Sequence, residues 1–178
     1  MMKEIVNRLK EKFPVTAEIY QRDDLTFVTV EKKYGVDAVA YLKEYEGFTH
    51  LVLLTAVDWL EEGEFQLTYL LNNPKAKHDI GLRVRIDRET AEMQTAHHLW
   101  PAVTTYEQEL NEMFGISFPG SPRQGHRFIL DEAWQGPPPY RRDFDTKKYS
   151  EETYFPRPGR SKIDPAEHMK KKLYPEGM

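Results

Sequence analysis

Cysteine is absent from all 178 residues. That removes disulfides, thiolate zinc sites, cysteine nucleophiles and cysteine-ligated iron–sulfur clusters together. Long apolar runs are missing too. The longest, Leu51–Val57 (LVLLTAV), is far short of the roughly 20 residues that cross a bilayer. The opening MMKEIVNRLKEKF is charged throughout and lacks the apolar core of a signal peptide, so a soluble, cytosolic-side chain is expected. Neither charge dominates: 25 Lys and Arg face 29 Asp and Glu. A formal net charge of -4 leaves no basic footprint for nucleic acid.

Legible catalytic or ligand patterns are also missing. His97 and His98 are adjacent, so on a helix they diverge by about 100° and cannot share one ion. His78, His126 and His168 stand singly, and no H-x-x-x-H spacing occurs, which argues against a metal site. FPGSPRQGHR has glycine and arginine, but its prolines remove backbone donors and no P-loop lysine follows. There is no dinucleotide fingerprint and no G-x-S-x-G. Ser117, Ser121, Ser150 and Ser161 have no recognisable base. No metal, flavin or nicotinamide nucleotide is expected in this chain.

A hydrophobic content of 39% and aromatics at 12% are enough for a real core. The length suits one domain, with room for an appendage. Ile5, Val6, Leu9 and Phe13 recur at helical spacing until Pro14 stops them. TAEIY and LTFVTVE alternate around QRDD as a hairpin. A second helix runs from about Val36 to Tyr45. THLVLLTAVDW reads as a central strand covered on both faces. GEFQLTYLLNN and DIGLRVRID supply two more strands. Helices are then expected at Ala96–Trp100 and Ala102–Phe114, with Gly115 as a left-handed stop. The sum is an α+β fold: a mainly antiparallel sheet with helices packed on it, followed by an extended C-terminal tail.

The tail begins where the pattern fails. Residues 1–130 are expected to be globular and 131–178 to form the tail. Seven of the 12 prolines fall in 136–178, and from Arg141 onward ten Lys and Arg face seven Asp and Glu. Trp134, Tyr140, Phe144, Tyr149, Tyr154, Phe155 and Tyr174 recur there without a period. Disordered tails are usually poor in aromatics. Two readings stay open: a segment ordered by lying across a partner, with Tyr, Phe and Arg as anchors, or one packed back on its own domain.

YEQELNEMFGISFPG (106–120) holds the remaining chemistry. Glu107 and Glu109 diverge by about 200° on a helix, so they do not converge as an acid/base pair. Arg127, Arg141 and Arg142 are the natural intrachain partners, through directional carboxylate–guanidinium contacts. Solvated helix-face glutamates are the plainer reading. On its chemistry the chain reads as a binding or structural element. A free-standing enzyme using Glu107 or Glu109, or an assembly adaptor, stand as alternatives.

YEQELNEMFGISF, followed by GSP, HRFIL, W-Q-G-P and RRDF, resembles the signature of the NADH–quinone oxidoreductase C-type subunits, the 30 kDa subunit family of respiratory complex I. Trp100, Ala102, Glu107, Glu109, Phe114, Gly115, Ile116, Phe118, Gly120, Pro122, Arg127 and Leu130 carry the likeness, and Trp134, Gly136, Arg141, Asp143 and Phe144 continue it. LLTAVDWLEEGEFQLTYLLNN is similar to the strand pair of that family. Gln108 stands for an arginine, Glu112 for an aspartate and Ser121 for a histidine, and PPPY lengthens the linker before the basic pair. The same type of subunit occurs in energy-converting membrane-bound [NiFe] hydrogenases and related ferredoxin-dependent complexes. The resemblance implies a non-catalytic peripheral-arm subunit of an ion-translocating complex on the cytoplasmic side of the membrane. No cofactor is implied in this chain; iron–sulfur clusters, with a NiFe centre, flavin or quinone, belong to partner subunits. The implied partners are a hydrogenase-like large subunit and iron–sulfur subunits. Glu107, Glu109, Phe114, Gly115, Ile116, Arg127, Arg141, Arg142, Asp143 and Phe144 are implied to brace the interface with those partners and the base of the tail.

Overall fold

The computed structural model describes residues 2–154 and 165–173. Phe155, Ser161 and Tyr174, discussed above, lie outside them. The chain divides into two compact units, Met1–Phe144 and Asp145–Met178.

In the first unit, helix α1 (Met2–Lys12) buries Met2, Ile5, Val6 and Leu9. Strands β1 (Val15–Arg22) and β2 (Leu25–Val30) form the expected hairpin, with β1 almost wholly exposed at the sheet edge. Helix α2 (Gly35–Glu44) buries Val36, Val39 and Leu42 among others. Strands β3 (His50–Trp59), β4 (Glu64–Asn73) and β5 (His78–Asp87) complete a five-stranded sheet of order β1-β2-β5-β4-β3. Only the β2–β5 pairing is parallel. Helix α3 (Val103–Phe114) packs mainly against β3.

One sheet face makes the core. Val28, Val30, Leu82, Val84, Leu67, Tyr69, Leu54 and Ala56 join Leu9, Val39, Leu42, Val103 and Leu110 in a single buried cluster. That cluster removes apolar area from water at about 25 cal/mol per Å².

Three local expectations are corrected. Strand β3 is an edge strand, not a central one. Its burial alternates from Leu53 onward, but an irregularity at Val52 breaks the period and the outward-facing Leu53 and Val57 are apolar too, which hid it. Ala96–Trp100 is a turn, closed by Leu99 N–H donating to the Ala96 carbonyl. Trp100 Nε1 is instead drawn to the Thr49 carbonyl (2.9 Å), which ties the turn to the start of β3. The first unit also runs past residue 130, because residues 131–144 make the contacts described below.

The second unit, described by itself, contains helices α4 (Thr146–Tyr154) and α5 (Pro165–Leu173). Sequence periodicity missed both, since α4 buries no residue and therefore has no apolar stripe to read. Its start was signalled by capping chemistry: Asp145 Oδ1 accepts from Lys148 N at 2.9 Å. Proline at the first position of α5 is equally conventional for a helix start.

Candidate functional site

Of the sequence-predicted residues, all but Glu107 and Glu109 lie along a seam that joins the end of α3 and strand β3 to residues 126–144. Helix α3 turns Val103, Glu107, Leu110 and Met113 inward, spaced for one helical face. Glu107 thus occupies a core position and is 1% exposed. Its two oxygens accept from Thr95 Oγ1 at 2.9 and 2.7 Å, and Oε1 also accepts from Ala96 N at 2.8 Å. The expected arginine partners are not there. Glu107 fastens the turn before α3, a position where an unbonded carboxylate would be severely disfavoured. Among the described residues the hydroxyl of fully buried Tyr69 has no hydrogen-bond partner, and burial, then the charge of Glu107, push that phenol well up. Glu109 is half-buried and makes no side-chain hydrogen bond or ion pair among the described residues.

Gly115 ends α3 at φ 74°, and its N–H donates to the Asn111 carbonyl. Residues 138–141 close over this end. Tyr140 N donates to the Met113 carbonyl (3.0 Å) and Arg141 Nε to the Phe114 carbonyl (2.7 Å). Two carbonyls left open by the helix end are thereby satisfied, one by a guanidinium placed favourably for the helix dipole. Arg141 also lies over the Phe65 ring (5.3 Å), and Phe114 packs edge-on to Phe65 and Tyr140. Buried Ile116 completes the knot. A Cβ on Gly115 would sit 3.1 Å from Pro138 and 3.2 Å from the Arg141 guanidinium. Gly115→Ala, strained in φ as well as in space, is expected to destabilise the chain by about 1–3 kcal/mol. Thermal unfolding reads this out, and an unshifted midpoint would mean the seam relaxes freely.

Glu112 is the latch of the adjoining loop. Its side chain is 3% exposed and accepts from three successive amides, Phe128 N (3.1 Å), Ile129 N (2.7 Å) and Leu130 N (3.2 Å). Arg127 Nη1 stands 3.9 Å away, while Arg127 Nη2 donates to the Trp134 carbonyl at 2.8 Å. Gln108 Nε2 donates to the His126 and Arg127 carbonyls, both at 3.2 Å. Phe128 and Ile129 are left facing solvent.

Asp58 is the second latch. With 1% of its side chain exposed, it takes Arg88 through two bonds, Nε to Oδ1 (2.8 Å) and Nη2 to Oδ2 (3.1 Å). Oδ2 also accepts from Arg142 N at 2.9 Å, and Arg88 Nη2 reaches Asp143 Oδ1 at 2.7 Å. The Arg142 side chain pairs with exposed Glu61 at 2.5 Å, and Phe144 packs on Trp134. Arg141–Phe144 is therefore strapped to its own domain at four successive positions.

Burial alone raises the Asp58 and Glu112 carboxyls. The Arg88 bonds and Arg142 amide outweigh it for Asp58, and the three loop amides outweigh it for Glu112, so both end below the usual carboxylate range. Arg88 lowers Asp143 directly. Groups with depressed folded values give stability that is present above their unfolded pKa of about 4 and lost as pH falls through the folded values. Thermal midpoints are expected to hold from about pH 7 to 5 and fall below about pH 4. A midpoint still flat at about pH 3 would contradict the latches.

Asp58, Arg88 and the latching role of Glu112 escaped the sequence reading. Asp58 carried a faint signal, a charge at the buried parity of an apolar strand. Among the described residues no group of three or more His, Asp or Glu could hold a metal ion. No described helix is long and apolar enough to cross a membrane.

A family model described as the respiratory-chain NADH dehydrogenase 30 kDa subunit matches residues 28–150. The NADH-quinone oxidoreductase C-type subunit of Moorella thermoacetica is 30% identical over 143 residues, covering 80% of this chain and 95% of that protein. A C/D-type subunit from Psychrobacter cryohalolentis is 26% identical over 164 residues; the match covers 87% of this chain but 27% of that longer protein. Among solved structures, a chain of the membrane-bound sulfane sulfur reductase, an archaeal respiratory membrane complex, superposes with a TM-score of 0.80. It is 31% identical, with 92% of this chain and 95% of that chain covered. These likenesses define a peripheral component of a multi-subunit oxidoreductase. The chain belongs to the family of the 30 kDa subunit of respiratory-chain NADH dehydrogenase.

Proposed function

We propose that this chain is a non-catalytic, peripheral subunit of a membrane-bound, ion-translocating electron-transfer complex, held on the cytoplasmic side against a hydrogenase-like large subunit. The likeness to a chain of an archaeal membrane respiratory complex over 92% of the sequence carries the reading. Relatives of the C/D type carry two subunit names on one polypeptide, which supports a D-type chain as the direct neighbour. Iron–sulfur clusters, and whichever of a NiFe centre, flavin or quinone the complex uses, reside in partners; this chain holds none. Glu107, Glu109, the Phe114–Ile116 knot, Arg127 and Arg141–Phe144 brace the contact surface and the base of the following segment. The intrachain bonds and packing of all but Glu109 support this role, because a strapped surface is pre-organised for a partner.

Free-standing acid/base catalysis fits poorly with Glu107, whose oxygens are already bonded in the core. Glu109 lies about 200° around the helix from it. An assembly adaptor is separated from a resident subunit by stoichiometry. Purification through a tag on this chain, followed by native mass spectrometry, is expected to recover a D-type chain and iron–sulfur chains at equal stoichiometry. Elemental analysis of the isolated chain is expected to show no bound metal. Recovery of the chain alone, or with substoichiometric partners, would reject the resident-subunit reading.

A further inference from the structure

The sheet has a second face, and no buried cluster lies on it. Strand register lines up its side chains in rows. Ile19 pairs with Phe27, Phe27 with Gly81, Gly81 with Leu70, and Leu70 with Leu53. The next row on the same face runs Thr29, Arg83, Thr68, Thr55. An apolar row therefore lies beside a row of hydroxyls with one arginine in it. Phe27, Leu53 and Leu70 are half-buried yet belong neither to the core cluster nor to the side chains packed against it. Ile19 and Val57 on this sheet are 46% and 43% exposed.

Arg83 is the unusual member. Its guanidinium stacks on the Phe27 ring, 3.8 Å from the centroid, over the space left by Gly81. A Cβ on Gly81 would approach Phe27 to 2.3 Å, so glycine is what lets the ring lie flat there. Among the described residues the Arg83 side chain has neither an acidic partner nor a hydrogen bond, and its Nε is shielded from water without an acceptor. Burial first, then neighbouring Arg85, lower its pKa. Arg85, by contrast, is bound by Glu62 at 2.6 Å and Glu64 at 3.3 Å. Trp59 Nε1, at the far end of β3, is likewise buried without an acceptor. Both unsatisfied groups are donors, so the missing chemistry is an acceptor, and beside Arg83 a negatively charged one. Leaving such groups unpaired is unfavourable, and a half-desolvated guanidinium gains most from a carboxylate.

Resting on the proposed function, we infer that this open sheet face docks a neighbouring protein chain of the complex. That chain lays apolar side chains along Ile19, Phe27, Leu70 and Leu53 and sets an Asp or Glu carboxylate against Arg83. A small anion would satisfy only the guanidinium; a protein segment also covers the apolar row.

The test uses the assembled complex purified through a tag on this chain. R83K places an amine where the carboxylate is expected, and a zero-length carbodiimide then joins amines to carboxylates in direct contact. Peptide mapping is expected to find residue 83 joined to an Asp or Glu of another subunit. R83E is expected to reduce recovery of the complex about thirtyfold or more. The free chain's unfolding midpoint should barely move, and K75E on the exposed β4–β5 turn should leave recovery unchanged. A cross-link from residue 83 to residues 145–178 of the same chain, to a second copy of it, or to nothing would overturn the inference. So would full recovery of the complex with R83E. In those cases the chain still co-purifies with its partners and the proposed function stands; failure of the wild-type chain to co-purify is the separate result that removes the latter.

Discussion

Asp58→Ala is expected to destabilise the chain by about 3–5 kcal/mol, the range seen when one partner of a desolvated ion pair is removed. The loss has two sources. Arg88, with 14% of its side chain exposed, would be left with Asp143 alone, and the Arg142 amide would lose its acceptor. Asp58→Asn separates them, since it keeps an acceptor for the amide while removing the charge. It should recover part of the stability and flatten the acid limb of the thermal midpoint. Denaturant unfolding of the three proteins measures both effects. Equal stability of Asp58→Ala and the parent would show that the node is only a surface contact.

Glu112→Ala should act more locally. Three amides and part of the field on Arg127 depend on this one carboxylate, and a charge-assisted bond contributes roughly 1.5–3 kcal/mol. Two of the three amides, those of Phe128 and Ile129, belong to exposed residues, so water replaces part of what is lost. The expected result is about 2–3 kcal/mol in global stability, with a much larger rise in hydrogen exchange at residues 128–130. Unchanged exchange at those three amides would show that the loop is held by Gln108 and Arg127 instead.

Much of the fold was legible because its cause was local. Ile5, Val6 and Leu9 repeat at helical spacing, Pro14 stops the helix, and Gly115 ends α3 in the left-handed region as its type suggests. Strand order was not legible. Nothing local says that β5 inserts between β2 and β4, and the apolar open face of β3 imitated a strand buried on both sides. The site divides the same way. Residue types in 106–116 and 141–144 were found from sequence. Their partners were not, since Glu107 bonds 11 and 12 positions back along the chain, whereas Asp58 reaches 30 and 84 positions forward. Sequence shows which groups need partners; topology decides which are within reach. Arg88 and Glu112 were missed for that reason.

The 84-residue separation between Asp58 and the Arg142 amide also sets an order of events. On a ribosome, β3, β4, β5 and α3 are all made before residues 138–144 emerge. Until then the last carbonyls of α3 and the second oxygen of Asp58 remain open to water. Closing so long a loop costs an entropy that grows only slowly with length, but the groups that close it are made after every strand of the sheet. The seam is thus completed by the last residues of the first unit to be made, immediately before the chain continues into its second unit. Every residue beyond 144 is therefore made only after all the groups that form the clasp.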